Sequence, residues 1–253
     1  MDNLTLIGLI LVLLLALSWH EAAHAWVADR LGDPTARQLG RVTLNPLKHL
    51  DPFLSVLLPI VMLMTVGVAF GGGKPVPINP AYFRHKSRDF MLVALAGPGS
   101  NLVLAALFAL LFVVGAWTGL LDGGGAAPIR NPYGADVVYA PSLLRSMEGV
   151  LRGATDQPLA ESWLSMGVLL NLLLALFNLT PLPPLDGSRV VGWLLPGRQL
   201  KEAWYRLDRF GLFLVLGFYF LLDGFRYLQP ILLSALDWTG TLTDDLISLG
   251  ASP

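Results

Sequence analysis

Residues 4–19 of the chain are almost wholly apolar, and the apolar character resumes at 22–28. The combined run exceeds the roughly 20 residues that a helix needs to cross the hydrocarbon core of a bilayer. It is too long for a secretory signal, and it lacks the basic segment that would precede one. Composition agrees: 54% of the residues are hydrophobic and 14% are charged, against roughly 25% charged in soluble domains. The bilayer is therefore the solvent for which this sequence is written. Further apolar segments fall at about 53–70, 90–118, 163–179 and 208–222, with a short piece at 228–236. Between them lie Pro- and Gly-punctuated loops at 71–80, 122–132 and 181–187, none long enough to hold a sizeable soluble domain. The expected fold is an all-α polytopic membrane protein. It would be a bundle of about five to six transmembrane or re-entrant helices, joined by short irregular membrane-associated loops and forming one domain over 1–253.

Positive charge sets the expected orientation. Arg30, Arg37, Arg41 and Lys48 cluster before the second apolar segment, and Lys74, Arg84, Lys86 and Arg88 come after it. Arg189, Arg198, Lys201, Arg206 and Arg209 form a third group, while the 119–141 loop has only Arg130. The positive-inside rule puts the three clusters in the cytoplasm, and the N-terminus and Gly-rich loop outside. Residues 53–70 then have basic flanks on both sides, which favours a re-entrant or interfacial hairpin bent near Pro59 over a full crossing. The stretch 142–152 reads as an amphipathic helix on the outer interface. A formal net charge of −1 and the absence of a basic block argue against nucleic acid as a partner. The absence of cysteine excludes disulfides and thiolate metal sites, leaving His, Asp and Glu as possible ligands.

The first helix contains HEAAH at 20–24. Positions i and i+4 share a helix face, so the imidazoles of His20 and His24 can reach one Zn²⁺. Glu21 beside them is placed to take a proton from water rather than to bind the ion. The alternative is that these ionisable groups snorkel towards headgroups. At 1.5 Å per residue His20 lies about 12 Å inside residue 28, too deep for an imidazole to escape, and intramembrane charge is retained where it has a partner or a task. A catalytic zinc needs a third protein ligand and an open position. Asp186, in NLTPLPPLDG at 178–187, is the candidate; its prolines forbid further helix and suggest an extended segment. An Asp-Gly turn is the competing reading. The GPGSN stretch at 97–101 falls at a matching depth on the third helix. Small residues at 97, 99 and 100 would let that helix approach the first closely, and Asn101 reads as an interhelical hydrogen bond or, alternatively, as a catalytic group.

Together these residues resemble the site-2 protease family of intramembrane zinc metalloproteases. The resemblance rests on HEAAHAW at 20–26, GDPTARQLGRVTLNPLKHLDP at 32–52, GGKPVPINP at 72–80, AGPGSN at 96–101 and NLTPLPPLDGSR at 178–189. It looks like the compact bacterial subgroup without PDZ or CBS domains. It implies a catalytic core at about 4–190, succeeded by helices at about 204–240 that carry no usable motif. It further implies that His20, His24 and Asp186 hold one Zn²⁺, that Glu21 is the general base, and that Asn178 binds the scissile carbonyl or the oxyanion. A helix-capping role in the left-handed region is the alternative for Asn178. His49 recurs in the family pattern, and reads as a loop or capping histidine rather than a fourth ligand. Single-span membrane proteins would be the substrates, cut near the cytoplasmic side of a bacterial inner membrane. Two other classes compete. An ion or metal transporter would also bury His and Asp, but no paired repeats with matching broken helices are visible. An inert membrane chaperone or adaptor would have no need of Glu21 between two ligands.

Overall fold

In the computed structural model, residues 3–57, 64, 72–121, 127–129, 138–140, 142–143, 146–147 and 158–250 are described. Helix α1 spans Asn3–Arg30, α2 Thr35–Gln38, α3 Lys86–Trp117 and α4 Leu159–Leu179. Next come α5 Gly187–Leu194, α6 Arg198–Arg206, α7 Gly211–Leu216 and α8 Phe225–Gly250. Strands β1 Ala127–Ile129 and β2 Val138–Ala140 form an antiparallel ribbon with Ala127 opposite Ala140, a small addition to an otherwise helical chain.

Among the described residues three helices, α1, α3 and α4, are long and apolar enough to cross a membrane; Arg198–Leu221 and Arg226–Leu249 pass the same test only when taken together, as a fourth. Helices that are apolar on every side belong in lipid or in a large core. The exposure pattern chooses lipid: α1 presents Leu4, Ile7, Leu11 and Leu15, and α3 presents Val103, Leu107, Leu110 and Val114, all exposed. In water such stripes would be aggregation sites. The expectation of an all-α polytopic membrane protein therefore holds. Its boundaries change at the C-terminal end, where the short apolar piece at 228–236 belongs to a 26-residue helix, α8, that continues to Gly250. Its later turns carry Thr239, Thr243, Asp244 and Asp245, which mask the helix from a search for apolar runs. Most of the 53–70 segment and most of 142–152 lie outside the described residues; Pro52–Leu57 begins the former as a single π-type turn.

The chain forms two compact units, one of residues 1–13, 102–174 and 225–253, the other of 14–101 and 175–224. In the first, Phe112, Val113, Leu143, Met147 and Val168 centre a buried apolar cluster. Gly167 lies where a Cβ would meet the Phe108 ring at 2.3 Å, so α4 and α3 touch there through a glycine. Ser142 Oγ and the Leu143 amide donate to Asp244 of α8.

The second unit holds every residue singled out for chemistry. Its apolar contacts join Ala28 of α1, Val93 of α3 and Phe83 of the segment before α3, with Ile78 and Phe90 alongside. The buried Asp33 carboxylate accepts from the Thr35 and Asn79 amides, tying the turn after α1 to the segment before α3. Residues 72–79 form no helix or strand.

Candidate metal centre

His20 and His24 stand one turn apart on α1, both buried. Their ring-to-backbone geometry fixes which nitrogens carry protons. His24 Nδ1 lies 2.7 Å from the Val93 carbonyl oxygen, which can only accept, so Nδ1 carries the hydrogen and Nε2 of the neutral ring is a lone pair. His20 Nδ1 lies 2.6 Å from Asn101 Oδ1, while Asn101 Nδ2 donates to the Ala16 carbonyl at 3.3 Å. The amide is thereby oriented with its oxygen towards the imidazole, and His20 Nε2 is also a lone pair.

These two lone pairs face each other at 2.9 Å. Asp186 Oδ2 completes a triangle at 3.2 Å from His20 Nε2 and 3.4 Å from His24 Nε2, and no donor among the described residues reaches that buried oxygen. Three buried acceptors cannot stabilise one another; they need a shared cation. Ligands around a tetrahedral zinc at 2.0–2.1 Å are about 3.3–3.4 Å apart, close to the edges of this triangle. His20, His24 and Asp186 are thus a group that can hold a metal ion.

Local structure explains why these atoms meet. Gly97 of α3 backs the imidazoles directly: a Cβ there would lie 2.4 Å from His24 Nε2 and 2.6 Å from His20 Cε1. Gly99, by contrast, has none of the described residues within 4 Å of a Cβ position. The expectation that small residues at 97, 99 and 100 all serve close approach is therefore corrected: Gly97 does, Gly99 does not, and Ser100 Oγ bonds back to the Gly97 carbonyl. Asn101 is an interhelical hydrogen-bonding group, the first of its two readings.

Asp186 is not on an extended segment. Its backbone is right-handed helical, φ −58° and ψ −38°, at the N-cap of α5. Residues 180–186 fold into successive turns, with Leu182 N on the Thr180 carbonyl and Leu185 N on the Leu182 carbonyl. The prolines stop the helix but are compatible with turns. Position 187 is glycine because a Cβ there would strike the Leu179 carbonyl oxygen at 2.2 Å. Asp186 is thus both the turn residue and a member of the triangle, and the two sequence readings are not exclusive.

Glu21 is partly buried, and its Oε1 would lie 3.2 Å from a Cβ at Gly73; its carboxylate therefore lies beside Gly73. Asn178 occupies the last turn of α4, partly buried. The sole non-glycine residue of positive φ among those described is Asp223, so Asn178 is not a left-handed cap. His49 is buried; its Nε2 donates to the Thr43 carbonyl at 2.7 Å and its own carbonyl accepts from Lys74 N. It braces the strand of chain beside Glu21 rather than joining the triangle. The Val93 carbonyl escapes a reading of the sequence, because a backbone acceptor has no residue signature.

With this geometry established, comparison with known proteins is decisive. The model of peptidase family M50 matches residues 8–221. The chain belongs to peptidase family M50. YwhC of Bacillus subtilis (strain 168), whose name describes it provisionally as a zinc metalloprotease, is 36% identical over 209 residues, covering 82% of this chain and 78% of that protein. Rip2 of Mycolicibacterium smegmatis, provisionally named in the same way, is 40% identical over 94 residues, 37% of this chain and 35% of that protein. Rip2 of Mycobacterium tuberculosis is 36% identical over the same length. No solved structure matches. The resemblance to site-2 proteases is borne out, and the chain is a metalloprotease of that family.

Proposed function

We propose that the chain is an intramembrane zinc endopeptidase that hydrolyses peptide bonds in or near the transmembrane segments of single-span membrane proteins. The reading includes a bacterial inner-membrane location with the site towards the cytoplasm. The observation that carries it is the convergence of three buried acceptors, His20 Nε2, His24 Nε2 and Asp186 Oδ2, on one point within an apolar helix bundle. Two imidazoles and a carboxylate match the ligand set of catalytic zinc sites.

His20, His24 and Asp186 would hold the ion, which when bound supplies Lewis acidity to water and carbonyl alike. Glu21, adjacent in sequence but lying beside Gly73, accepts the proton of the attacking water and returns it to the leaving amine. Asn178 is assigned a hydrogen bond to the developing oxyanion. A substrate helix hides its peptide groups and must unwind before attack. The irregular 72–79 segment passes Glu21 and offers backbone to an extended chain; the turned 180–186 segment spends part of its backbone on itself.

The test is cleavage of a single-span substrate reconstituted in vesicles. Glu21→Gln is expected to abolish cleavage with bound metal retained, whereas His20→Ala and Asp186→Ala lose both. A Glu21→Gln protein that cuts at near the native rate would sink the assigned base. Protons compete with metal for the same imidazole lone pairs, so activity and bound metal should fall together on the acid side of neutrality. An activity unchanged from about pH 7 to pH 4 would contradict the mechanism.

A further inference from the structure

We propose that Arg189 is a positioning residue, held by the chain beyond residue 197, that fixes the turn presenting Asp186 to the two imidazoles. The inference rests on the metal role assigned to that carboxylate. Arg189 lies one turn after Asp186, and its amide donates to the Asp186 carbonyl at 2.9 Å in the first turn of α5. Whatever anchors its side chain also anchors that turn.

The anchor is built from two other parts of the chain. Arg189 Nη1 donates to Asp208 Oδ2 at 2.7 Å, with side-chain exposures of 15% and 32%. The guanidinium also lies 5.1 Å from the centroid of Phe90 and 5.5 Å from that of Tyr205. Phe90 belongs to α3, the helix whose Val93 carbonyl and Asn101 amide orient the histidines. Arg189 therefore couples the element bearing Asp186 to the element setting His20 and His24. A planar cation lying over two rings that meet edge to face, with a carboxylate at its edge, suits Arg; Lys has neither the plane nor the fork. The second Asp208 oxygen is buried with no partner among the described residues, and Arg189 is the counter-charge that the carboxylate has among them.

Other contacts point the same way. Trp204 Nε1 donates to the Ser188 carbonyl at 2.8 Å, and Lys201 Nζ donates to Ser87 Oγ at 3.0 Å and to the Trp193 carbonyl at 3.1 Å. Gly211 lies where a Cβ would meet Pro184 Cδ at 2.5 Å. A region without a recognisable motif thus closes around both sides of Asp186.

The experiment uses the full chain in detergent with Co²⁺ as probe, reading the visible ligand-field bands and the Co²⁺ affinity. Arg189→Lys and Asp208→Asn are expected to alter the bands and weaken Co²⁺ at least about tenfold, the scale of supporting-residue effects at metal sites. The double variant Arg189→Met with Asp208→Leu removes both charges, so no unpaired ion is left buried; it should recover thermal stability while keeping the altered bands. Stability loss alone, with native bands and affinity in the double variant, would overturn the proposal. If the native chain itself gives no Co²⁺ bands, it is the metal reading of the triangle that fails instead.

Discussion

Gly97 and Gly99 are two positions apart on one helix, and the fold asks opposite things of them. A methyl at 97 would overlap both imidazoles, so Gly97→Ala must shift either α3 or the rings, with a cost of about 1–3 kcal/mol for overpacking. It should lose bound metal and activity together. Gly99→Ala meets none of the described residues and should keep both, with stability unchanged or raised by up to about 1 kcal/mol. Metal analysis of the two purified proteins decides the matter, and equal metal content would refute the packing argument. Asn101 makes a different demand, for orientation rather than space. Asn101→Ala leaves His20 Nδ1 without its acceptor, and metal affinity measured by chelator competition should drop on the order of 10–100-fold. An unchanged affinity would mean that the hydrogen bond does not set the tautomer. Much of this is legible in HEAAH and GPGSN, since spacing dictates which groups share a face. Which of the two glycines matters is not legible, because it depends on where α3 crosses α1.

At the scale of elements, the turn between α4 and α5 departs most from its sequence-based expectation. Prolines at 181, 183 and 184 announce the end of a helix, and the structure ends α4 at Leu179. The course of the chain beyond that point is set by contacts distant in sequence: Gly211 against Pro184, and Tyr219 with its hydroxyl 2.8 Å from Thr180 Oγ1 and its ring stacked on Phe177. Those partners lie up to some forty residues away, and no local signal announces them. Gly187 is the sensitive joint. Gly187→Ala would press a methyl on the Leu179 carbonyl, and α5 can relieve it only by moving Asp186. The expected outcome is a protein with native helical content by circular dichroism but depleted metal. Wild-type metal occupancy in that variant would show that the turn can yield without disturbing the carboxylate.

For the whole molecule, topology is the exposed question. Helix α3 has 32 residues and would be about 48 Å long, well beyond a hydrocarbon core of about 30 Å. Its ends should therefore face opposite solutions. The chain has no native cysteine, so single introduced thiols report cleanly. Tyr82 before α3 and Leu39 before the apolar 53–70 segment are both exposed, as is Leu120 after α3. Tyr82→Cys and Leu39→Cys should react only from the cytoplasmic side, and Leu120→Cys only from outside. Labelling of Tyr82→Cys from outside would mean that 53–70 crosses fully, against the four positive charges at 74–88. Charge counting yields this expectation without coordinates, whereas the β1–β2 ribbon within the Gly-rich loop gives no warning in the sequence, its strands being three residues each.

The triangle of two nitrogens and one oxygen also bears on supply. A site of imidazole and carboxylate obeys the general affinity order of divalent ions, in which Cu²⁺ outranks Zn²⁺, and this chain has no thiolate with which to bias the choice. Selection by affinity alone would fill it with copper. Which ion the protein carries is then decided by what the host makes available while the helices assemble, and protein purified from copper-loaded cells should arrive mismetallated and inactive.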